Sequence, residues 1–348
     1  MRRKLRLPAA GLVLALILAG WAAPGAAGAR DPGDGVVSPA NFDNASYDDV
    51  AIGAPGEDIG AVADAGAVTA VYPNQQRPAQ TFRQGAGGVA GAAEVGDRFG
   101  SALAIGQFND DSYDDLAVGV PGEDVGGAVD AGAVNMIEGT EAGLRPGALY
   151  LQGRPEPGDR FGAALTLNGF LGDGGDDLAV GAPGETVGAV ASSGPVEAGD
   201  AFGTSLGWYT VHPGGFLLTL VVGAPGRNRF GADAGAVFPC YAYPGQGVLC
   251  DQHRLQDEGA GAEAGDRYGA AVSGGSYHTS DRNFFDGDGL EDVVVGAPGE
   301  TVGSSRGAGA ATIVFGDQYF ENVRKLWQGR AGVGGTPEPG DASGAAVA

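Results

Sequence analysis

An all-β array of propeller blades is what this 348-residue sequence predicts. Three observations carry the expectation. A phrase of eight residues recurs along the chain, each copy belongs to a unit of about four short apolar stretches separated by Gly-rich turns, and no helical 3.6-residue stripe of useful length follows the N-terminal segment. Four short strands in a repeating unit of roughly 60 residues fit a propeller blade.

The phrase reads Val50-Ala-Ile-Gly-Ala-Pro-Gly-Glu57 in its first copy, and Leu116–Glu123, Leu178–Glu185, Leu220–Gly226 and Val293–Glu300 are its variants. Upstream of most copies stands Gly-Asp-x-Phe/Tyr-Gly, at a nearly constant distance: Asp97 to Pro121 is 24 residues, Asp159 to Pro183 is 24, and Asp200 to Pro225 is 25. In the second unit the expected strands are Ser101–Ile105, Leu116–Val120, Gly132–Ile137 and Leu149–Gln152. A calcium β-roll would need a nine-residue period, a sandwich would not repeat so faithfully, and an EF-hand needs flanking helices.

Two irregularities stand out. The return leg of the third unit, Pro183 to Asp200, is 17 residues against 38 for Pro121 to Asp159, about two strands short. The chain also ends on Gly340-Asp-Ala-Ser-Gly-Ala-Ala-Val-Ala348, the opening of a sixth unit, whereas the first unit has no such opening. Either the last segment completes the first blade, or the chain is a piece of a longer propeller. The units are expected at about 33–95, 96–157, 158–198, 199–264, 265–339 and, in part, 340–348.

At the N-terminus, Arg2, Arg3, Lys4 and Arg6 precede an apolar run from Gly11 to Ala23, and Ala27-Gly28-Ala29 offers a cleavage site. Residues 1–29 therefore read as a secretory signal, too short in its apolar part to span a membrane. The mature chain, 30–348, is expected outside the cell and not inserted in a membrane. Loss of four basic and no acidic residues would take the formal charge from −23 to −27. So acidic a chain excludes nucleic acid and anionic membrane surfaces as partners and favours divalent cations or basic partners. In an exported protein, Cys240 and Cys250 on either side of Pro244-Gly245 are expected to form a disulfide across a hairpin.

Acidic loops precede most copies of the phrase and align at positions 1, 3, 5, 7 and 9. Oxygen donors at alternate positions of a tight loop can converge on one hard cation, with a backbone carbonyl at position 7, which is Ca²⁺ chemistry. The fifth loop offers Asp286, Asp288 and Asp292 with the Leu290 carbonyl, and the second offers Gln107, Asn109, Asp111 and Asp115 with Tyr113. The first offers Asn41, Asp43 and Asp49 with Tyr47, and the third keeps only Asp173 and Asp177. In the fourth, Val211–Thr219, no acid remains. The expected order of binding is fifth, second, first, third, and turn geometry alone is the competing explanation of these acids.

Phe-Gly opening, acidic loop and Gly-Ala-Pro closing together resemble the FG-GAP repeats of the integrin α-subunit N-terminal β-propeller and its bacterial relatives. The likeness covers about residues 33–348. It implies calcium loops in the hairpin joining the first two strands of each blade, and a ligand-binding or adhesive role toward a protein or glycan that the sequence does not identify. The family's full propeller has seven blades, against five Gly-Ala-Pro units here.

Nothing in the chain reads as a catalytic centre. His212, His253 and His278 lie in no nucleophile or metal motif. The pairs Asp48-Asp49, Asp114-Asp115 and Asp176-Asp177 are adjacent on strands, so their side chains diverge and cannot flank one glycosidic bond. The residues Phe99, Phe161, Phe202 and Tyr268 read as packing residues. The expected function is a non-catalytic, calcium-binding adhesion module. The alternatives are the accessory repeat region of a larger extracellular hydrolase, or a decayed propeller fragment.

Overall fold

A computed structural model of the chain describes residues 15–19, 40–45, 48–73, 77–109, 111–169, 176–185, 199–210, 218–228, 231–243, 247–250, 262–274, 292–315, 323–330 and 332–347. All of its regular structure is strand, with no helix among the described residues. Each sheet is antiparallel, and all but the third are meanders of sequence-consecutive strands, as blades require.

After β1 (Ala15–Ala19), the first sheet is β2 (Val50–Ala54), β3 (Ala67–Val71) and β4 (Gln80–Phe82). The second is β5 (Leu103–Gly106), β6 (Asp115–Val120), β7 (Ala133–Glu138) and β8 (Arg145–Tyr150). β9 (Ala164–Asn168) and β10 (Asp177–Gly181) form the third, with β1 paired antiparallel to the other edge of β10. Thus part of the expected leader adds a strand to the shortened unit, on the side where the other sheets carry their third strand. The fourth is β11 (Ser205–Thr210), β12 (Leu218–Ala224), β13 (Ala236–Tyr243) and β14 (Gly247–Cys250), and the fifth is β15 (Ala271–Gly274), β16 (Val293–Ala297), β17 (Ala310–Val314) and β18 (Val323–Leu326).

The outermost strand of the second sheet differs from its sequence expectation. β8 begins at Arg145 and runs through Pro146 and Gly147, and the pairing with β7 shifts register between Asn135 and Ile137. Proline donates nothing to a ladder, so an edge strand beside an irregularity is where it fits. Cys240 and Cys250 are direct cross-strand partners on β13 and β14 and are disulfide-bonded.

Two compact units divide the chain, one over Ser38–Glu185 together with β1, the other over Thr186–Ala348. Within the first, apolar side chains of neighbouring sheets stack face to face. Phe42, Val68, Phe99, Leu116 and Val118 share one core cluster, while Ala117, Val134, Phe161, Leu178 and Val180 share the next. β6 is buried at all six residues: Leu116 to Val120 carry no polar side chain and are covered on both faces, and Asp115 is held by two backbone N–H groups. In the second unit Tyr209, Val221, Val272, Val293 and Val295 form the equivalent cluster, with Tyr268 packed against it. Phe99, Phe161 and Phe202 are buried, as packing residues should be.

The repeated phrase owes its glycines to main-chain contact. A Cβ on Gly119, in Gly-Val-Pro, would lie 2.0 Å from the carbonyl oxygen of Gly162, in the Phe-Gly of the next unit. A Cβ on Gly122, in the following Pro-Gly, would lie 2.0 Å from the Gly96 carbonyl. Each motif therefore fits against the backbone of another. Gly119→Ala should cost about 1–3 kcal/mol or more by overpacking, whereas Gly334→Ala, with nothing within 4 Å of its Cβ, should stay within about 0.5 kcal/mol. Urea midpoints of the two variants check this, and equal midpoints would remove the close approach as the reason for the motif.

Candidate metal centre

The second loop joins β5 to β6, the hairpin position implied by the family resemblance. Its side chains fold the loop on itself. Asn109 Oδ1 accepts from the Asp111 N–H (3.1 Å), and Asp111 Oδ1 accepts from the Tyr113 N–H (2.9 Å). At position 9, Asp115 is buried, with Oδ2 on the Phe108 N–H (3.1 Å) and Oδ1 on the Gly139 N–H (2.8 Å). Position 1, Gln107, is tied by its N–H to Asp176 Oδ2 of the third loop (2.9 Å).

The first loop repeats these bonds. Asp43 Oδ1 accepts from the Ala45 N–H (3.1 Å), Asp49 Oδ2 from the Phe42 N–H (2.9 Å), and Asp114 Oδ2 from the Asn41 N–H (2.8 Å). In the Asp114-Asp115 pair the two acids thus do different work, and Asp49 and Asp176 each repeat one of the two roles. Position 9 closes its own loop, and position 8 receives the N–H that opens the preceding loop. A charge-assisted bond of this kind contributes about 1.5–3 kcal/mol. The role of position 8 escaped the sequence reading, because an acid beside an acid shows no partner 73 residues away.

Fit to a cation differs between the loops. Gln107, Asn109, Asp111 and Asp115 supply oxygen alone, the donor set of a hard divalent ion. No Lys or Arg among the described residues pairs with Asp111 or Asp115. In the first loop, by contrast, Arg77 Nε stands 3.2 Å from Asp43 Oδ2 and already supplies a positive charge. That loop still holds buried oxygens with no partner, Asn41 Oδ1 and Asp49 Oδ1. Arg77 lowers its rank below a simple count of acids. Asp177 and Asp292 are buried at their strand starts. Tyr47, Asp173, Asp286, Asp288, Leu290 and the histidines His212, His253 and His278 lie outside the described residues.

A family model for the FG-GAP repeat matches residues 99–134 and 285–314, the stretches that hold the second acidic loop and most of the fifth. The chain carries FG-GAP repeats. It is 40% identical over 93 residues to human phosphatidylinositol-glycan-specific phospholipase D, covering 25% of this chain and 11% of that protein. With integrin alpha-PS5 of Drosophila melanogaster the identity is 41% over 97 residues, 26% of this chain and 9% of the relative. Integrin alpha-5 of Xenopus laevis is similar over a longer stretch, 29% over 228 residues, 58% of this chain and 20% of the relative. The FG-GAP chain therefore spans a fifth or less of the length of these relatives.

Burial raises the loop carboxylates: Asp115 is pushed up to about 7 and Asp49 to about 6, in each case through loss of water around the charge. Both titrate near 3.9 in an unfolded chain. The folded state thus holds protons that the unfolded state has released, so stability is full below about 4 and falls as pH rises toward about 7. In EDTA, the melting midpoint should drop steadily from pH 5 to pH 7.5. Asp115→Asn should flatten that slope, and a midpoint that climbs with pH would contradict the assignment.

Proposed function

We propose that this chain is a Ca²⁺-binding, non-catalytic FG-GAP module that works outside the cell by engaging a protein or glycan ligand. The observation that carries the reading is the Gln107–Asp115 loop: an all-oxygen donor set, drawn into a tight turn by its own Asn109 and Asp111, on a hairpin between two blade strands. Bound Ca²⁺ would neutralise carboxylates that otherwise repel one another in a chain of formal charge −23. Asp111 and Asn109 would hold it from the loop tip and Asp115 from the strand, while the Phe108 and Gly139 N–H groups keep Asp115 oriented. The fifth loop, with Asp286, Asp288 and Asp292, has the fuller acidic set in sequence and is the second site of choice. The N-terminal basic and apolar segment supports export, and the similarity to integrin alpha chains supports an adhesive role.

The similarity to phosphatidylinositol-glycan-specific phospholipase D from human and rat favours a second reading, the accessory repeat region of a larger extracellular hydrolase. Under both readings this chain has no activity of its own.

The test is thermal unfolding of the chain in EDTA, in 1 mM Ca²⁺ and in 1 mM Mg²⁺. For an extracellular-type Kd of roughly 0.1 mM, each occupied site should add on the order of 1.4 kcal/mol. Asp111→Ala should remove about one site's share without loss of cooperative unfolding. A midpoint indifferent to Ca²⁺ would reduce the loops to turns. Release of a phosphatidylinositol-glycan-anchored protein from membranes by this chain would overturn the non-catalytic reading.

A further inference from the structure

Away from the acidic loops, the Gly-Asp motif builds a second set of carboxylate clusters. Each Gly-Asp that opens a unit belongs to a longer phrase, Glu-x-Gly-Asp, at Glu94–Asp97, Glu156–Asp159, Glu197–Asp200, Glu263–Asp266 and Glu338–Asp341. The Asp side chain closes that turn by accepting the N–H of its own Glu, at 2.6 Å in Glu156/Asp159 and in Glu263/Asp266. Onto this turn folds the Pro-Gly of the next Gly-Ala-Pro phrase, with the Gly184 N–H on the Asp159 carbonyl (3.1 Å), which brings the following Glu alongside. The outcome is three carboxylates at one place, Glu156, Asp159 and Glu185; in the preceding copy Glu94 and Glu123 flank Asp97 at a wider spacing, near enough to raise its carboxyl by their charge.

In the second of these copies, one carboxylate oxygen from each of Glu156, Asp159 and Glu185 lies within 4.8 Å of the others. Three oxygens at the limit of that spacing stand about 2.8 Å from a common centre, so shifts of a few tenths of an ångström bring all three to a Ca²⁺–oxygen distance of about 2.4 Å. Beside each cluster, at the outer edge of the sheet, stands a glutamine whose amide would offer a fourth oxygen on turning over. Gln152 donates its amide N–H to Glu185, and Gln84 does the same to Glu123. The other amide oxygen, Oε1 of each glutamine, is buried and has no partner. Gln84 is only 3% exposed, and Asp97, at 0%, also leaves its Oδ1 without a partner. Buried acceptors with nothing to accept from are costly, and a cation would satisfy them.

What belongs in the cluster is shown by the chain's own variant copies. In the fourth phrase the Glu is replaced by Arg227, and its Nη1 sits 2.5 Å from Asp200 Oδ2, the Asp buried and the Arg largely covered. In the fifth, Lys325 on β18 pairs with Glu300 beside Asp266. Two copies therefore carry a cationic side chain inside the cluster. The Asp97 copy has none that pairs among the described residues, and the Asp159 copy has only Arg154, which is 90% exposed and 3.6 Å from Glu156 at the rim.

We propose that the Glu94/Asp97/Glu123/Gln84 and Glu156/Asp159/Glu185/Gln152 clusters are divalent-cation sites, separate from the acidic loops, in which a Ca²⁺ ion takes the place that Arg227 and Lys325 fill in the other copies. The three carboxylates and the glutamine oxygen are hard donors and suit Ca²⁺ over a softer metal. Each ion would tie the turn that ends one unit to the Gly-Ala-Pro phrase of the next.

The test is Ca²⁺ stoichiometry of the full chain by equilibrium dialysis at 1 mM Ca²⁺, with the melting midpoint of every variant taken in EDTA. Glu123→Gln with Glu185→Gln should lose two bound ions while Asp111→Ala loses a different one, so that the triple variant loses three. Glu185→Arg, which copies the fourth unit, should lose one ion and unfold at a higher temperature in EDTA than the unaltered chain. An unchanged ion count in cooperatively folding Glu123→Gln/Glu185→Gln and Glu185→Arg proteins would overturn the proposal. So would an EDTA midpoint for Glu185→Arg below that of the unaltered chain, since the cluster would then have no place for a cation.

Discussion

Main-chain contact between consecutive sheets is the constraint on which the rest of this molecule depends. The carbonyl of the Phe-Gly glycine presses on the Gly-Ala-Pro glycine of the preceding sheet: Gly100 on Gly53, Gly162 on Gly119, Gly269 on Gly223 and Gly344 on Gly296, each too close to admit a Cβ. Side chains between two sheets can repack when one changes, but backbone against backbone cannot. The contact fixes how neighbouring sheets meet within each unit, and the apolar clusters around Phe99 and Phe161 fill what space is left. The placing of the loops follows from it.

On that frame the acids are structural before they are anything else. Asp115 and Asp49 close their own loops, Asp114 and Asp176 hold the preceding loop, and Asp159 and Asp266 close the turn before the next Phe/Tyr-Gly. A buried carboxylate needs donors or a cation to offset its lost hydration. Backbone N–H groups meet part of that need, and Arg77, Arg227 and Lys325 meet it elsewhere. The remaining clusters are the ones proposed above as divalent-ion sites. If the proposed sites hold a divalent ion, the stability of the module is tied to the concentration of that ion.

Much of the fold was legible in the sequence because its signals are local. Strand periodicity, turn glycines and the spacing from Gly-Asp to Gly-Ala-Pro all lie within one unit, and they placed β5, β6 and β7 to within a residue or two. The edge strand β8 was missed at its start, since Pro146 and Gly147 argue against a strand anywhere but at an edge, and the edge is a property of the sheet. Of the candidate site, Gln107, Asn109, Asp111 and Asp115 could be read from their alternation, and the loop geometry brings Asn109, Asp111 and Asp115 into mutual hydrogen bonding.

The rest was hidden because it joins residues from different units. That Asp114 receives the Asn41 N–H, that Arg77 neutralises Asp43, and that Glu185 comes to rest beside Asp159 are facts of packing over separations of 26 to 73 residues. The Glu two residues before Gly-Asp went unread at the level of sequence, and a repeat of acids alone does not say whether they meet. By itself, then, the sequence determined the repeating unit, its strands and its oxygen-rich loops, since each is settled by neighbours along the chain. Which carboxylates are paired with a cation and which stand together without one was decided only by the tertiary structure, because burial and charge balance depend on what the fold brings close.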